Sequence, residues 1–222
     1  MANLRSMAVL APEGRAWQAS LFGTAGPAGA AAPVDPTFNG MRRLDLGRGA
    51  WIDHLPGWLA GGDDLCARLA ADLPWLRHTV TMYDRMLDEP RLTQFRVHEH
   101  LDRFPELGAI ASVLSEHYRR DLTRIGAALY RDGNDSVAWH GDSFAPGAVE
   151  PMVAIVSLGA TRQLRVRPRG GGPSSQFVLQ CGDLVVLGGT IHRTHEHCVP
   201  KTRRAVGPRI SLMWREPSTT DI

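Results

Sequence analysis

His140 and Asp142, in the stretch VAWHGDSF, are the residues of this sequence best suited to begin a metal site. Residues two apart on a β-strand point to the same side, so the imidazole and the carboxylate would lie next to each other. The pattern His-x-Asp is short, and it also occurs without any metal. A third ligand is therefore needed before the pair predicts a site.

Three more histidines, His192, His195 and His197, lie in GGTIHRTHEHCVP, which we expect to form one late strand of the same sheet. Two histidines and one carboxylate are the ligands of non-haem Fe(II) oxygenases, which keep open positions for a co-substrate and dioxygen. His195 and His197 share a face of the expected strand, so spacing alone does not choose between them.

The stretch RISLMWR places two arginines on one face of a strand. The odd-numbered residues from 209 to 215 fall on one face, and Ile210, Leu212 and Trp214 fall on the other. Two guanidinium groups beside a metal would be costly to bury without an anion, and a dicarboxylate such as 2-oxoglutarate matches them. The alternative is that Arg209 and Arg215 face solvent beside Glu216.

The elements that must position these residues change in type along the chain. DDLCARLAADLPWL, with Asp63 or Asp64 as N-cap, and PELGAIASVLSEHYRRDL, with Pro105 in its first turn, predict two amphipathic helices. From Ala127 onward, short apolar runs between turn signals predict six to eight strands, of which MVAIVSLG is buried on both faces. This order predicts an α+β fold, with helices packed on an antiparallel sandwich or jelly roll.

The N-terminal region differs from the rest of the chain. Residues 23–36 are mostly Gly, Ala and Pro, which predicts a flexible arm over 1–38 and one folded domain over 39–222. Within the arm, QASLF (Gln18 to Phe22) is similar to the Gln-x-Ser/Asp-Leu-Phe peptide by which bacterial replication and repair proteins dock on the sliding clamp. The alternative is that Leu21 and Phe22 cover a groove on the folded domain.

Composition limits the class of protein. The 222 residues are 43% hydrophobic, which suits one domain with a sizeable core. The net charge of +2 does not predict a polyanion partner, so any contact with nucleic acid must be local. Three cysteines without paired spacing favour reduced thiols and a cytoplasmic protein. No run approaches the roughly 18 apolar residues of a membrane span, so no membrane partner is expected.

The order of these residues along the chain is more specific than any one of them. Over roughly residues 75–216 the sequence resembles the AlkB family of Fe(II)/2-oxoglutarate dioxygenases, and its bacterial members most closely. These enzymes reverse alkylation damage on nucleic-acid bases. The stretches that carry the resemblance are MYDR, LYRDGNDSVAWHGD, MVAIVSLGATRQLRVRPR, GDLVVLGG, HEHCVPKT and PRISLMWR.

The resemblance implies a double-stranded β-helix (jelly-roll) core with N-terminal helices packed on the sheet, and the cofactors Fe(II), 2-oxoglutarate and O2. It implies His140, Asp142 and His197 as the catalytic iron ligands, because CVP after His197 matches the family's run after its last ligand. His192 and His195 are then supporting or core residues.

The resemblance also implies residues for the co-substrate and the substrate. The residues implied for 2-oxoglutarate are Tyr130, Arg209, Ser211 and Arg215. Tyr83, in TMYDRM, matches the lid segment that contacts the target base. Trp139, Arg165 and Arg167 are further candidates for substrate contact. The residues expected to contact the nucleic-acid backbone are Arg162, Arg165, Arg167, Arg169, Lys201, Arg203 and Arg204.

The implied reaction is oxidative demethylation of bases such as 1-methyladenine and 3-methylcytosine in DNA, with single-stranded DNA as the expected form, releasing formaldehyde and succinate. Ala128 and Ser211 replace family asparagines that touch the co-substrate, so weaker binding of 2-oxoglutarate is expected. Ser143 or Phe144 replaces a base-reading carboxylate.

Three alternatives stay open. The same cofactors could act on RNA, protein or a small molecule. The chain could be a clamp-tethered binding module with decayed catalysis. A zinc hydrolase would leave the paired arginines unexplained.

Overall fold

The computed structural model describes residues 34–82, 85–144 and 148–217, with backbone only for 80–82 and 85–87. Tyr83 and the segment from Gln18 to Phe22 lie outside the described residues. In the described part of the chain, no helix is long and apolar enough to cross a membrane. The described elements, in chain order, are β1 (Arg42–Gly47), β2 (Ala50–Leu55), α1 (Gly62–Asp72), β3 (Thr79–Met82), β4 (Arg85–Asp88), β5 (Leu92–Gln94), α2 (Pro105–Tyr118), β6 (Arg124–Tyr130), β7 (Val137–His140), β8 (Val153–Gly159), β9 (Arg162–Pro168), β10 (Ser175–Leu179), β11 (Leu184–Gly189), α3 (Ile191–Thr194), β12 (His195–Val199) and β13 (Arg209–Arg215).

The strands form two main antiparallel sheets and a separate β3–β4 hairpin. The larger sheet has the order β1-β2-β11-β8-β13-β6-β5, and the smaller has the order β10-β9-β12-β7. Apolar side chains from both sheets share one buried cluster, for example Ile52 and Val153 from the larger sheet and Leu164 and Val166 from the smaller. The two sheets therefore face each other, which confirms the predicted jelly roll with helices added.

The helices cover the other face of the larger sheet. Leu69 of α1 and Leu107 of α2 are fully buried in a second cluster with Leu212 and Trp214 of β13. The indole of Trp214 also donates to the Leu107 carbonyl at 3.3 Å. The predicted alternation along β13 is confirmed: its even-numbered residues anchor the helices, which leaves its odd-numbered residues to face the smaller sheet.

Two details of the expected layout were wrong. Strands β1 and β2 precede both helices, so the sheet is not confined to the second half of the chain. The pattern RRLDLG did not indicate a strand because β1 is an edge strand with an almost wholly exposed set of side chains. Helix α1 begins at Gly62 after Gly61 in a left-handed conformation, and Asp63 and Asp64 lie in the first turn rather than at the N-cap.

The last residues of the predicted N-terminal arm, 34–38, are among the described residues. Val34 forms a bridge with Leu59, and the indole of Trp58 donates to the Asp35 carbonyl at 2.9 Å. Phe38 is 5% exposed and belongs to the core cluster under the larger sheet. Residues 34–38 therefore pack on the folded domain, and the division into arm and domain stays a prediction for the residues before them.

Arg162, one of the residues expected to contact the nucleic-acid backbone, is bonded to the backbone of its own chain. It is 4% exposed, and its guanidinium donates to the carbonyls of Asp132 at 2.9 Å, Asp135 at 2.7 Å and Pro200 at 2.7 Å. These bonds tie β9 to the loops after β6 and β12. Within RQLRVRPR, Arg162 differs from the later arginines because it lies on the same face of β9 as the buried Leu164 and Val166.

We expect Arg162→Ala to lower the free energy of unfolding by about 2–4 kcal/mol, because three carbonyls lose the same buried, charged donor. Urea unfolding followed by circular dichroism measures the change. Arg203→Ala is the matched control, since Arg203 is exposed and its removal should change the stability by less than about 0.5 kcal/mol. Equal stability of the two variants would contradict the structural role of Arg162.

Candidate metal centre

The pairing of β7 with β12 brings two of the predicted ligands together. The strands are antiparallel, and His140 and His197 are direct partners in the register. Directly opposed residues on one face have neighbouring side chains, and here the two imidazole centroids are 4.3 Å apart. The third predicted ligand, Asp142, follows β7 by two residues.

One ligand atom from each of His140, Asp142 and His197 lies within 4.8 Å of the others. Among the described residues, this is the only group of three or more histidine, cysteine or carboxylate side chains that could hold a metal. Two imidazoles and one carboxylate are the donor set that suits a non-haem Fe(II) site. The structure therefore assembles the three residues that the sequence proposed as ligands, and it leaves His195 out of the group.

The electrostatics of the two histidines suit metal binding. The Nδ1 atom of His140 lies 2.9 Å from the Ala138 carbonyl, which leaves Nε2 free to act as a ligand. Burial lowers the pKa of His197 to about 4, so this imidazole is neutral at pH 7 and its lone pair is available.

Asp142 is a buried carboxylate that stays ionised. Burial alone would raise its pKa, but His192 and the guanidinium of Arg215 outweigh that effect and hold the pKa well below its usual range. The Arg215 Nη2 atom donates to Oδ1 at 2.7 Å. The other oxygen, Oδ2, is buried and makes no hydrogen bond in the described structure, although His192 Nδ1 and His197 Nε2 lie 3.3 and 3.8 Å away. An acceptor left without a full partner beside two imidazoles fits a bound cation.

A cavity of about 200 Å³ connects these ligands with the arginines of β13. Arg209 is 1% exposed, and its Nε donates to the Ser157 hydroxyl at 3.1 Å. The Nη1 atom of Arg209 is buried without a hydrogen-bond partner. Burial lowers the pKa of the Arg209 guanidinium, although the neighbouring phenol of Tyr130 opposes this shift. A buried guanidinium with a free donor in a cavity needs an anion, and a carboxylate meets that need.

Ala128 and Ser211, the two residues expected to weaken binding of 2-oxoglutarate, lie opposite each other. Ser211 pairs with Ala128 in the register of β13 and β6, and both residues line the cavity. On the other side of Ala128, the register of β5 and β6 brings in Thr93. Its hydroxyl is buried without a hydrogen-bond partner and its side chain also lines the cavity. Thr93 therefore offers a donor next to the position where an asparagine amide is missing.

The sequence analysis missed Thr93 and its neighbours along the chain. Arg91, Thr93 and Phe95 all line the cavity, at every second position through β5. The Arg91 guanidinium interacts with Tyr130, and its Nε is 3.5 Å from the Glu89 carboxylate. The signal in the sequence was the alternation within PRLTQF, which lies before Ala127 and so outside the region where strands were expected.

Trp139, Arg165 and Arg167, which were predicted to contact the substrate, are not among the described residues that line this cavity. Leu164 and Val166 of β9 face inward, so Arg165 and Arg167 lie on the outer face of the smaller sheet. There Arg167 is paired with Glu196 at 2.6 Å and stacks on the Trp139 ring at 4.0 Å. Their predicted contact with the substrate stays a prediction, and the structure places them on the outer face, where a nucleic-acid backbone could reach them.

The remaining histidines have separate places. His192 lies on the short helix α3 and not on the late strand as expected, because a helical turn separates β11 from β12. The His195 ring is buried and bonds the Thr194 hydroxyl at 2.8 Å. His98 lies in a 3-10 turn, half-buried, with Nδ1 3.3 Å from the Ile125 carbonyl. His98 and His195 play no part in the metal group.

Comparison with known proteins bears on this site. The model of the 2OG-Fe(II) oxygenase superfamily matches residues 63–215. The chain is 27% identical to alpha-ketoglutarate-dependent dioxygenase alkB homolog 3 of Bos taurus, over 72% of this chain and 64% of that protein. It is 26% identical to the homolog 3 protein of Homo sapiens, over 69% of this chain and 60% of the relative. This chain thus spans less than two thirds of the length of these mammalian relatives.

Two further similarities come from a plant protein and a solved structure. The DNA oxidative demethylase ALKBH2 of Arabidopsis thaliana is 25% identical over 83% of this chain and 72% of that protein. A crystal structure of a 2OG-Fe(II) oxygenase family oxidoreductase from Burkholderia pseudomallei superposes with a TM-score of 0.51 and 18% identity, covering 74% of this chain and 84% of the other. At that identity the superposition supports the fold alone.

Replacing Arg215 and replacing Arg209 should have different effects on the stability of the metal-free protein. Arg215→Met should lower the free energy of unfolding by about 3–5 kcal/mol, because it leaves the Asp142 carboxylate buried without its cation. Arg209→Met should not lower it, because an apolar side chain replaces a buried guanidinium that has an unpaired donor. Thermal unfolding in the presence of a chelator compares the two. A large loss of stability in Arg209→Met would show that Arg209 is already satisfied without an anion.

Proposed function

Because the chain belongs to the 2OG-Fe(II) oxygenase superfamily and, within it, to the AlkB family, we propose that it oxidatively demethylates N-alkylated bases, of the 1-methyladenine and 3-methylcytosine type, in single-stranded DNA. The observation that carries the proposal is the group of two histidines and one carboxylate at one end of a cavity that also contains a buried guanidinium with an unpaired donor. Both features are needed for this cofactor chemistry.

The residues of the site divide between the two cofactors. His140, Asp142 and His197 would hold Fe(II), and Arg209 would pair with the distal carboxylate of 2-oxoglutarate. Such an iron site would use O2 to convert 2-oxoglutarate to succinate and carbon dioxide and to oxidise an N-methyl group, whose carbon would leave as formaldehyde. Tyr130, whose ring centroid is 5.2 Å from the Arg209 guanidinium, holds that arginine in place.

Co-substrate affinity would depend on hydroxyl groups in place of amides. Ser211 and Thr93 flank Ala128 and present hydroxyls to the cavity. A hydroxyl can donate one hydrogen bond where an amide nitrogen can donate two. The lower affinity for 2-oxoglutarate expected from the sequence is therefore partly offset by Thr93.

A base must leave its stack to reach this cavity. Phe95 lines the cavity and is 44% exposed, which places an aromatic ring at its rim. A flipped base is held by stacking on such rings. The proposed lid role of Tyr83 would add a second surface. The only carboxylate among the described residues that line the cavity is Asp142, so Ser143 would contact the base edge through a hydroxyl and without a countercharge.

The backbone of the strand would lie in a basic groove outside the cavity. This groove, of about 380 Å³, lies beside the outer face of β9 and includes Arg165, Lys201 and Arg204. No aspartate or glutamate is among the described residues that line it. The guanidinium of Arg165 and the charges of Lys201 and Arg204 would attract phosphate oxygens. Cations of this kind give binding that weakens with salt.

Turnover of a methylated strand tests the proposed reaction. Single-stranded oligonucleotides carrying 1-methyladenine or 3-methylcytosine are incubated with the protein, Fe(II), 2-oxoglutarate and ascorbate, and their mass is measured. We expect the wild type to remove the methyl mass and Asp142→Ala to leave it, because the variant lacks the carboxylate ligand. An unchanged mass, with 2-oxoglutarate still consumed, would reject DNA demethylation and favour the same chemistry on RNA, protein or a small molecule.

Salt dependence tests the groove. The double variant Lys201→Ala and Arg204→Ala should bind a single-stranded oligonucleotide more weakly, and the slope of log K against log salt should become shallower by about 1.4, since each lost phosphate contact removes about 0.7. Fluorescence anisotropy at several salt concentrations measures the slope. Arg68→Ala is the control, because Arg68 of α1 pairs with Asp64 of α1 and Glu106 of α2, on the far side of the larger sheet. An unchanged slope in the double variant would remove the groove from the interface.

A further inference from the structure

His192 is a buried imidazole that lies outside the group of three ligands yet touches one of them. It sits on α3, and its side chain is 3% exposed. Its Nδ1 lies 3.3 Å from Asp142 Oδ2, on the oxygen that Arg215 does not contact. Nothing in the proposed chemistry has so far used this residue.

The two ring nitrogens of His192 have different surroundings. Nδ1 faces the carboxylate, whereas Nε2 is buried and has no hydrogen-bond partner in the described structure. A neutral imidazole carries one proton, and a lone pair on Nδ1 would repel the carboxylate oxygen. The proton is therefore favoured on Nδ1, as a donor toward Asp142.

Neighbouring residues fix the position of this ring. Phe144 packs against it edge-to-face with centroids 4.8 Å apart, and the Arg169 guanidinium donates to the His192 carbonyl at 2.9 Å. Gly141, between His140 and Asp142, leaves room for this guanidinium, since a Cβ there would lie only 2.1 Å from Arg169 Nη2. Phe144 is one of the two residues expected to replace the family's base-reading carboxylate, and here its ring packs on His192.

We propose that His192 is a positioning residue for the iron site, which donates its Nδ1 proton to Asp142 Oδ2 while Arg215 holds Oδ1. The inference rests on the proposed iron site. With a donor beside each oxygen, the carboxylate would have a single orientation, and Oδ2 would keep one lone pair for a metal next to His197, whose Nε2 is 3.8 Å away. Partners of this kind strengthen metal binding although they do not touch the metal.

Metal affinity without turnover is the test. The chelator-treated protein is titrated with Co(II), and the visible absorption of the bound ion gives both affinity and ligand geometry. His192→Phe keeps the ring but has no donor, so we expect affinity to fall about 10- to 100-fold with a shifted spectrum. His192→Asn places an amide near the Nδ1 position, and it should recover most of the affinity and the spectrum of the wild type.

The controls separate this inference from the proposed site. His195→Phe changes a buried histidine of the same region that bonds Thr194 and not Asp142, so its Co(II) affinity should match the wild type. Thermal unfolding of each metal-free variant checks its folding, and His192→Leu is a second donor-free variant if the phenylalanine does not fit. Wild-type affinity and spectrum in a folded donor-free variant would overturn the role of His192 alone. Weak Co(II) binding by the wild type, or full binding by Asp142→Ala, would overturn the iron site and the inference together.

Discussion

The buried charge of Asp142 is the constraint on which the rest of the site depends. An ionised carboxylate that is 7% exposed must be compensated, and the structure supplies Arg215 on one oxygen and imidazoles beside the other. The neighbouring His197 is kept neutral by burial, so it adds a lone pair and not a second cation. A metal ion bound beside Oδ2 would complete the compensation of this buried negative charge.

The two faces of the larger sheet have different roles, one in packing and the other in lining the cavity. Its outer face carries the helices through residues such as Leu212 and Trp214, while its inner face presents Arg209, Ser211 and Arg215 to the cavity. The alternation of one strand thus serves both purposes, because successive side chains of β13 point in opposite directions. The smaller sheet supplies the two histidines through a single antiparallel pairing. The arginines on its outer face differ in their pairing. Arg167 forms an ion pair with Glu196, whereas the Nε of Arg165 has no hydrogen-bond partner in the described structure.

The sequence predicted those parts of the site that follow from short-range periodicity or from family motifs. The faces of β13 followed from alternation alone, whereas His197 was preferred over His195 only through the resemblance, since two residues on one face look alike without knowledge of the strand opposite. Burial could not be predicted for Arg162, because three carbonyls from distant loops create its environment. Arg91 and Thr93 were missed because β5 precedes α2, in the part of the chain for which the sequence predicted helices and no strands.

The central claim is that one cavity holds Fe(II) on His140, Asp142 and His197 with 2-oxoglutarate bound against Arg209. Anaerobic addition of Fe(II) and 2-oxoglutarate to the chelator-treated protein tests it most directly, because 2-oxoglutarate chelated to Fe(II) absorbs visible light by charge transfer. The account predicts a band that saturates at one Fe(II) per chain in the wild type, is absent in Asp142→Ala, and requires much more 2-oxoglutarate in Arg209→Met. No band in the wild type, or an undiminished band in Asp142→Ala, would contradict it.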